Sequence, residues 1–205
     1  MKKVFFLFMV CVVVPSSLAF AQSAPDRTVT VRVIVDADEN LDRATRAVLF
    51  ASDVFRKNFG ITFLITATET WPSKEGKVEK FAAINRVRAA ADESRDDIVI
   101  SFTTRSMHEL GENQNGWVRE YPIDGCADLL GRAAVVSLGG NAGKSRRRTA
   151  LVTLHEFGHV FGAQHSGGKE SIMTGNKIVS QIFDEKTKET ILKNRDRPFG
   201  TQAAE

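Results

Sequence analysis

The sequence predicts a single α+β domain with helices packed on a mainly parallel sheet, and three observations carry this. The N-terminal half alternates strand and helix signals, a Gly- and Asp-rich stretch follows, and a further strand then leads into a helix carrying histidines. Alternation of the two periods argues strands that lie parallel with helices on the sheet faces.

The elements follow in order. In "TVTVRVIVD", Val29, Val31, Val33 and Val35 share one side of a pleat, and Thr28, Thr30, Arg32 and Ile34 the other, which predicts a first strand. "ENLDRATRAVLFASDVFRKNFG" places Leu41, Ala44, Val48, Ala51 and Phe55 at helical spacing and closes on Gly60. "ITFLITATET" reads as a second strand. A polar stretch at Trp71 to Lys77, a helix near Val78 to Ser94 and a strand at Asp97 to Thr104 come next. "GENQNGWVREYPIDGCADLLG" reads as loop with a short strand around Trp117 to Glu120. "RAAVVSLGG" resumes strand character, "NAGKS" turns the chain, and Ser145 is available to cap the helix "RRTALVTLHEFGHVFG". A terminal helix is expected near Asp184 to Asn194, with "PFGTQAAE" a frayed tail.

Residues 1–21 have the three parts of an export signal: Lys2 and Lys3, the apolar run Val4 to Val14, and Ala19-Phe20-Ala21. The expected product is periplasmic or secreted, without a stable membrane anchor, because the run is shorter than the roughly 20 residues of a span. Setting those 21 residues aside from 205 leaves one domain of 184, residues 22–205. Removing the two lysines leaves 26 basic against 25 acidic side chains, a net charge of about +1, which is no footprint for nucleic acid. The run Arg146, Arg147, Arg148 reads as a solvated helix start. Cys126 alone remains, so no internal disulfide is expected, and a buried, inert thiol is the reading adopted.

"HEFGHVFGAQHS" holds three of the four histidines. Residues four apart share a helix face, so His155 and His159 can aim at one point. A catalytic zinc takes three protein ligands and leaves a fourth position for water. If the helix continued through His165, that imidazole would lie about 15 Å along the axis from His155. Gly162 can take the left-handed conformation that stops the helix and brings His165 back. Glu156 can then stand beside the open position, take a proton from a water whose pKa the ion lowers to about 7, and pass it to a leaving amine. The expectation is one Zn2+ held by His155, His159 and His165, with Glu156 as general base and acid. His-Glu-x-x-His alone arises by chance in about one chain in forty of this length, and adding Gly162 and His165 lowers that roughly 400-fold.

At these residues the chain resembles the metzincin clan of zinc metallopeptidases, whose His-Glu-x-x-His-x-x-Gly-x-x-His signature is followed by a methionine turn. "HEFGHVFGAQH" matches each fixed position, and "SIM" at Ser171 to Met173 follows His165 by eight residues at the methionine. Gly158 and Ser166 give a form similar to matrixins, whereas "GRAAVVSLGG" and the chain beyond "SIM" look more like archaemetzincins. The resemblance implies a zincin fold. It comprises a mixed five-stranded twisted sheet with packed helices and an active-site helix over an upper part of about 27–164, then a short lower part of about 165–198. It also implies Met173 as a packing base beneath the zinc. The four cysteines that hold a second zinc in archaemetzincins are missing, and Gly175 stands where astacins and serralysins have a tyrosine. The strand near Trp117 to Glu120 would be the edge on which an extended peptide substrate is laid, and Cys126 lies in a loop that could cap the zinc. The activity implied is metalloendopeptidase, of a monomer, on protein or peptide. The alternatives are a catalytically silent zinc-containing peptide-binding module and an amidase acting on cell-wall peptides.

Overall fold

The computed structural model describes residues 26–72, 76–112, 118–138, 145–168, 170–175, 178 and 180–199. The expected export signal, the turn at 141–144, Trp117 and the end of the tail lie outside the described residues. Among the described residues no helix is long and apolar enough to cross a membrane.

Strand β1 (Arg27–Val35) leads through a 3-10 turn at Asp38–Asn40 into helix α1 (Leu41–Phe59). Gly60, left-handed at φ 63°, ends α1 with its N–H on the Arg56 carbonyl and starts β2 (Ile61–Thr70). Then come β3 (Lys77–Glu79), α2 (Lys80–Glu93), β4 (Ile98–Thr103), β5 (Ser106–Glu112), β6 (Val118–Ile123), β7 (Gly125–Ala127) and β8 (Ala133–Ser137). Helices α3 (Arg146–Val160) and α4 (Glu185–Lys193) complete the fold. The main sheet has the order β2-β1-β4-β8-β7, parallel except for β7, which runs antiparallel to β8. It is the expected mixed five-stranded sheet.

The β1 alternation sorts the two cores. Val29, Val31, Val33 and Val35 face a large core with α1 and α3, whereas Ile34 faces a smaller one with Ile84, Val87 and Ala91 of α2. A parallel sheet covered on both faces is what βαβ connections produce. In the large core, Phe55 packs with ring centroids 5.0–5.6 Å from Phe59, Phe63, Phe161 and Phe183. Phe161 closes α3 and Phe183 precedes α4, so this cluster joins α1 to both ends of the histidine-bearing segment. Each buried ring contributes about 1.5–3 kcal/mol by removal from water.

Three expectations are corrected. The helix expected from Val78 begins at Lys80, because Val78 and Glu79 pair with β5 and Glu79 caps the helix by accepting from the Ala82 N–H. The stretch read as loop with a short strand around Trp117 to Glu120 holds two strands, β6 and β7, and β6 pairs antiparallel with β5, which with β3 makes a second sheet. The side chains of β6 are largely exposed and those of β5 mostly half-buried, so burial imposes no clear apolar alternation on the sequence. Ser145 stands at the α3 N-cap position but its side chain makes no capping hydrogen bond. The start of α3 is anchored instead by Arg148, which donates to Asp124 at 2.6 Å and to the Ile178 carbonyl at 2.5 Å.

Candidate metal centre and active site

Helix α3 is buried along most of its length, from Leu151 to Gly158, so its histidines are carried by a fixed rod rather than a surface helix. The helix then ends in a Schellman turn. The Ala163 N–H donates to the Gly158 carbonyl at 3.0 Å and the Gly162 N–H to the His159 carbonyl at 2.8 Å, with Gly162 left-handed at φ 88°. A β-carbon on Gly162 would lie 2.8 Å from both Asn194 Nδ2 and Leu130 Cδ2, so close packing and backbone conformation both require glycine. Asn194 donates to the Phe161 carbonyl at 3.1 Å and Arg197 to the Val160 carbonyl at 2.9 Å, satisfying the exposed end of the helix with a cation where one is favoured.

The turn brings His165 back. The Nε2 atoms of His155 and His159 are 3.0 Å apart, and each lies 3.2 Å from Nε2 of His165. Nδ1 of His155 lies 2.7 Å from the Ile172 carbonyl and Nδ1 of His159 2.6 Å from the Ala163 carbonyl. A carbonyl only accepts, so both Nδ1 atoms carry the proton and both Nε2 atoms present lone pairs. Three nitrogens facing one another with two of them unable to donate repel, unless a cation sits among them. Tetrahedral ligands at zinc distances of about 2.0–2.1 Å stand about 3.3 Å apart. The triangle is therefore of the right size and donor type for zinc. Burial also lowers the pKa of His155 to about 3 and of His159 to about 4, and lowers that of His165, which keeps all three in the neutral form that a metal requires.

Met173 is fully buried beneath the helix, where a β-carbon on Gly158 would come within 2.5 Å of its sulfur. The turn around it is pinned at several points. Ser166 N–H donates to the Met173 carbonyl at 2.8 Å, Ile172 N–H to the Ile182 carbonyl at 2.6 Å, and Ser171 Oγ to Asp184 at 2.5 Å. Ile172 thus holds the ring of His155 through its carbonyl while its N–H ties the turn to the segment before α4. Gly175, the tyrosine position of some metzincins, lies against His165, where a β-carbon would press on Nδ1 at 3.2 Å, closer than an ordinary contact.

Glu156 is only 3% exposed, and its Oε2 has no hydrogen-bond partner. Burial raises its pKa to about 8, a shift that Lys80 opposes and Asp124 reinforces. It shares a cavity of about 330 Å³ with the three histidines, Gly125 and Lys80. Gly125 on β7 is pressed so close that a β-carbon there would fall 2.5 Å from Glu156 Oε1. The family model described as Metallo-peptidase family M12 matches residues 27–182. The chain belongs to metallo-peptidase family M12.

The M12 chain is a zinc metallopeptidase, a hydrolase. Its fold is similar to that of two archaemetzincins. The one from Methanopyrus kandleri is 18% identical, with TM-score 0.62, covering 83% of this chain and 97% of that one. The one from Archaeoglobus fulgidus is 13% identical, with TM-score 0.52 and coverages of 80% and 99%. Metalloproteinase-II from Bacteroides fragilis is 12% identical, with TM-score 0.54, covering 85% of this chain and 55% of that one. No curated protein matches the chain.

One expectation about the surroundings of this M12 site changes, and the buried thiol expected at Cys126 is found. The strand after Trp117 is the edge of the second sheet, and the edge of the main sheet beside Glu156 is β7. Cys126, on β7, is 6% exposed and packed in the smaller core, where burial, and then Glu156, push the thiol pKa far up. A neutral buried thiol is a poor zinc cap. Sequence reasoning missed Lys80, Gly125 and the Arg148–Asp124 pair. Their partners lie 24 to 31 residues away in sequence, and no local spacing signals such contacts.

Proposed function

We propose that the chain is an exported metalloendopeptidase that cleaves internal bonds of extended peptides. In this reading His155, His159 and His165 hold one zinc ion, and Glu156 is general base and then acid. The observation that carries it is the neutral histidine triangle sharing one cavity with a buried carboxylate whose Oε2 is unpartnered.

When bound, zinc supplies Lewis acidity toward a water molecule and the scissile carbonyl. The chain supplies the rest. The carbonyls of Ile172 and Ala163 keep the Nε2 lone pairs of His155 and His159 directed inward. Glu156 Oε2 accepts a proton from the attacking water as its oxygen bonds to the carbonyl carbon. It then delivers that proton to the amide nitrogen as the carbon–nitrogen bond breaks, leaving a carboxylic acid, which keeps the other water proton until it ionises, and an amine. A dication beside Glu156 favours its ionised form and so opposes the effect of burial. The outer edge of β7, beside Glu156, offers its backbone groups to a substrate strand. Lys2, Lys3, the apolar run and Ala19-Phe20-Ala21 support export to the periplasm or beyond, and a soluble monomer is the form proposed.

The experiment is Glu156→Gln in the zinc-loaded protein, assayed on a denatured protein and on purified cell wall. The expected outcome is cleavage of the protein by wild type and at least about 100-fold loss in the variant, with zinc content unchanged. Retained zinc and no cleavage by wild type would instead indicate a binding module, and cleavage of cell wall alone an amidase.

A further inference from the structure

We propose that Lys80 is a specificity-determining residue of the active-site cavity, pairing with a carboxylate of the bound peptide. This rests on the peptidase reading above. Lys80 is the first residue of α2 and lines the same cavity as Glu156, His155, His159 and His165.

Helix stability does not account for a lysine there. The first turn of a helix is its positive end, where acidic side chains are favoured and cations disfavoured, and the first turn of α2 contains no acidic residue. Its ion pair does not account for it either. Nζ donates to Glu109 Oε1 on β5 at 2.8 Å, with the two side chains 30% and 41% exposed. A pair this open to water contributes little to stability. It does hold the ammonium in place, and an ammonium has three protons to donate. A second carboxylate can therefore join the pair or replace Glu109 at small cost.

The charge of the cavity gives the sign of the ligand. Among the described residues Glu156 is the one carboxylate lining it, facing Lys80 and a histidine triangle shaped for a dication. Glu109 is not part of the lining. A cavity of that balance attracts an anion and repels a basic side chain. In a peptide the anion is a carboxylate, from an Asp or Glu side chain near the scissile bond or from a free C-terminus.

The test uses zinc-loaded Glu156→Gln protein, so that peptides stay intact, and acetylated, amidated decapeptides of neutral composition. Glutamine is replaced by glutamate at each position in turn, and one further peptide carries a free C-terminus. Binding is read by calorimetry at low salt. The expected result is one acidic peptide bound about tenfold more tightly than its neutral isostere, as a charge-assisted hydrogen bond provides. A side-chain source shows as a preference at one internal position, a terminal source as a preference for the free acid. Adding Lys80→Gln should reduce the preference to within about twofold while neutral peptides bind as before, and adding Glu109→Gln should increase it. Equal binding of acidic and neutral peptides, a preference that survives Lys80→Gln, or equal weakening of both by that substitution would overturn the proposal. Should Lys80→Gln fold poorly, the comparison with Lys80 in place still decides, through the acid preference and its loss at high salt. Turnover by the chain with Glu156 intact is measured separately, so absence of cleavage counts against the peptidase reading and not against the role of Lys80.

Discussion

The sulfur of Met173 lies against the backbone of Gly158, close enough that a β-carbon there would approach it to 2.5 Å. Gly158 precedes His159, so this contact sets the depth at which the histidine turn rests on its base. Gly158→Ala gains about 1 kcal/mol of helix propensity but overpacks a fully buried site, which costs about 1–3 kcal/mol. The expected outcome is a lower melting temperature together with weaker zinc binding in a chelator competition. Raised stability with unchanged affinity would show that Met173 can move aside freely.

Gly162→Val removes no ligand, yet it places a β-branched residue at φ 88° and against Asn194 and Leu130. Positive φ alone costs about 1–3 kcal/mol. Because the left-handed turn returns His165 to the triangle, zinc affinity should fall at least tenfold. Full zinc occupancy at limiting metal would count against the geometry described.

Gly125→Ala should separate catalysis from metal binding. The three atoms the added carbon meets first are Glu156 Oε1 at 2.5 Å, Val152 Cγ1 at 2.8 Å and Glu156 Cδ at 3.0 Å, none of them from a histidine. Displacing a catalytic group by about 1 Å can cost on the order of 100-fold in rate. The expected result is normal zinc content, measured by atomic absorption, with kcat/KM for a peptide reduced by about that factor.

Asp184 carries a pH dependence into the turn. Burial would raise its pKa, but hydrogen bonds from Ser171 and from Thr187 outweigh burial and lower it to about 2. A carboxylate depressed in the folded state stabilises it above the ordinary aspartate pKa of about 3.9, and that stability fades as pH falls from there through about 2. Melting temperatures measured from pH 6 to pH 2.5 should fall less steeply for Asp184→Asn than for wild type. Parallel curves would remove Asp184 from the acid response.

Much of the site was legible because its information is local. The spacing of His155, His159, Gly162 and His165 states both the helix and its interruption, and alternating valines state that one side of β1 carries Val29, Val31, Val33 and Val35, the side that faces the large core. Of the β5–β6 pair only part of β6 left a trace, as the short strand expected around Trp117 to Glu120; Val118 and Tyr121 are exposed, and no buried face imposes a period of two on the rest of β6. Gly125 and Lys80 were illegible for another reason. Their importance is proximity to Glu156 and Glu109 across the fold, and a sequence records what residues are, not which distant residue they touch.

The strap from Ser166 to Asp184 is tied to the metal centre through Ile172 and Met173 and to the aromatic core through Phe183, which packs on Phe55 and Phe59. Zinc retention is therefore a gauge of whether the C-terminal part stays docked. A lesion at Phe183 would first be noticed as a metal leak from an otherwise folded chain, and such partial openings rather than global unfolding would then set how long the enzyme lasts.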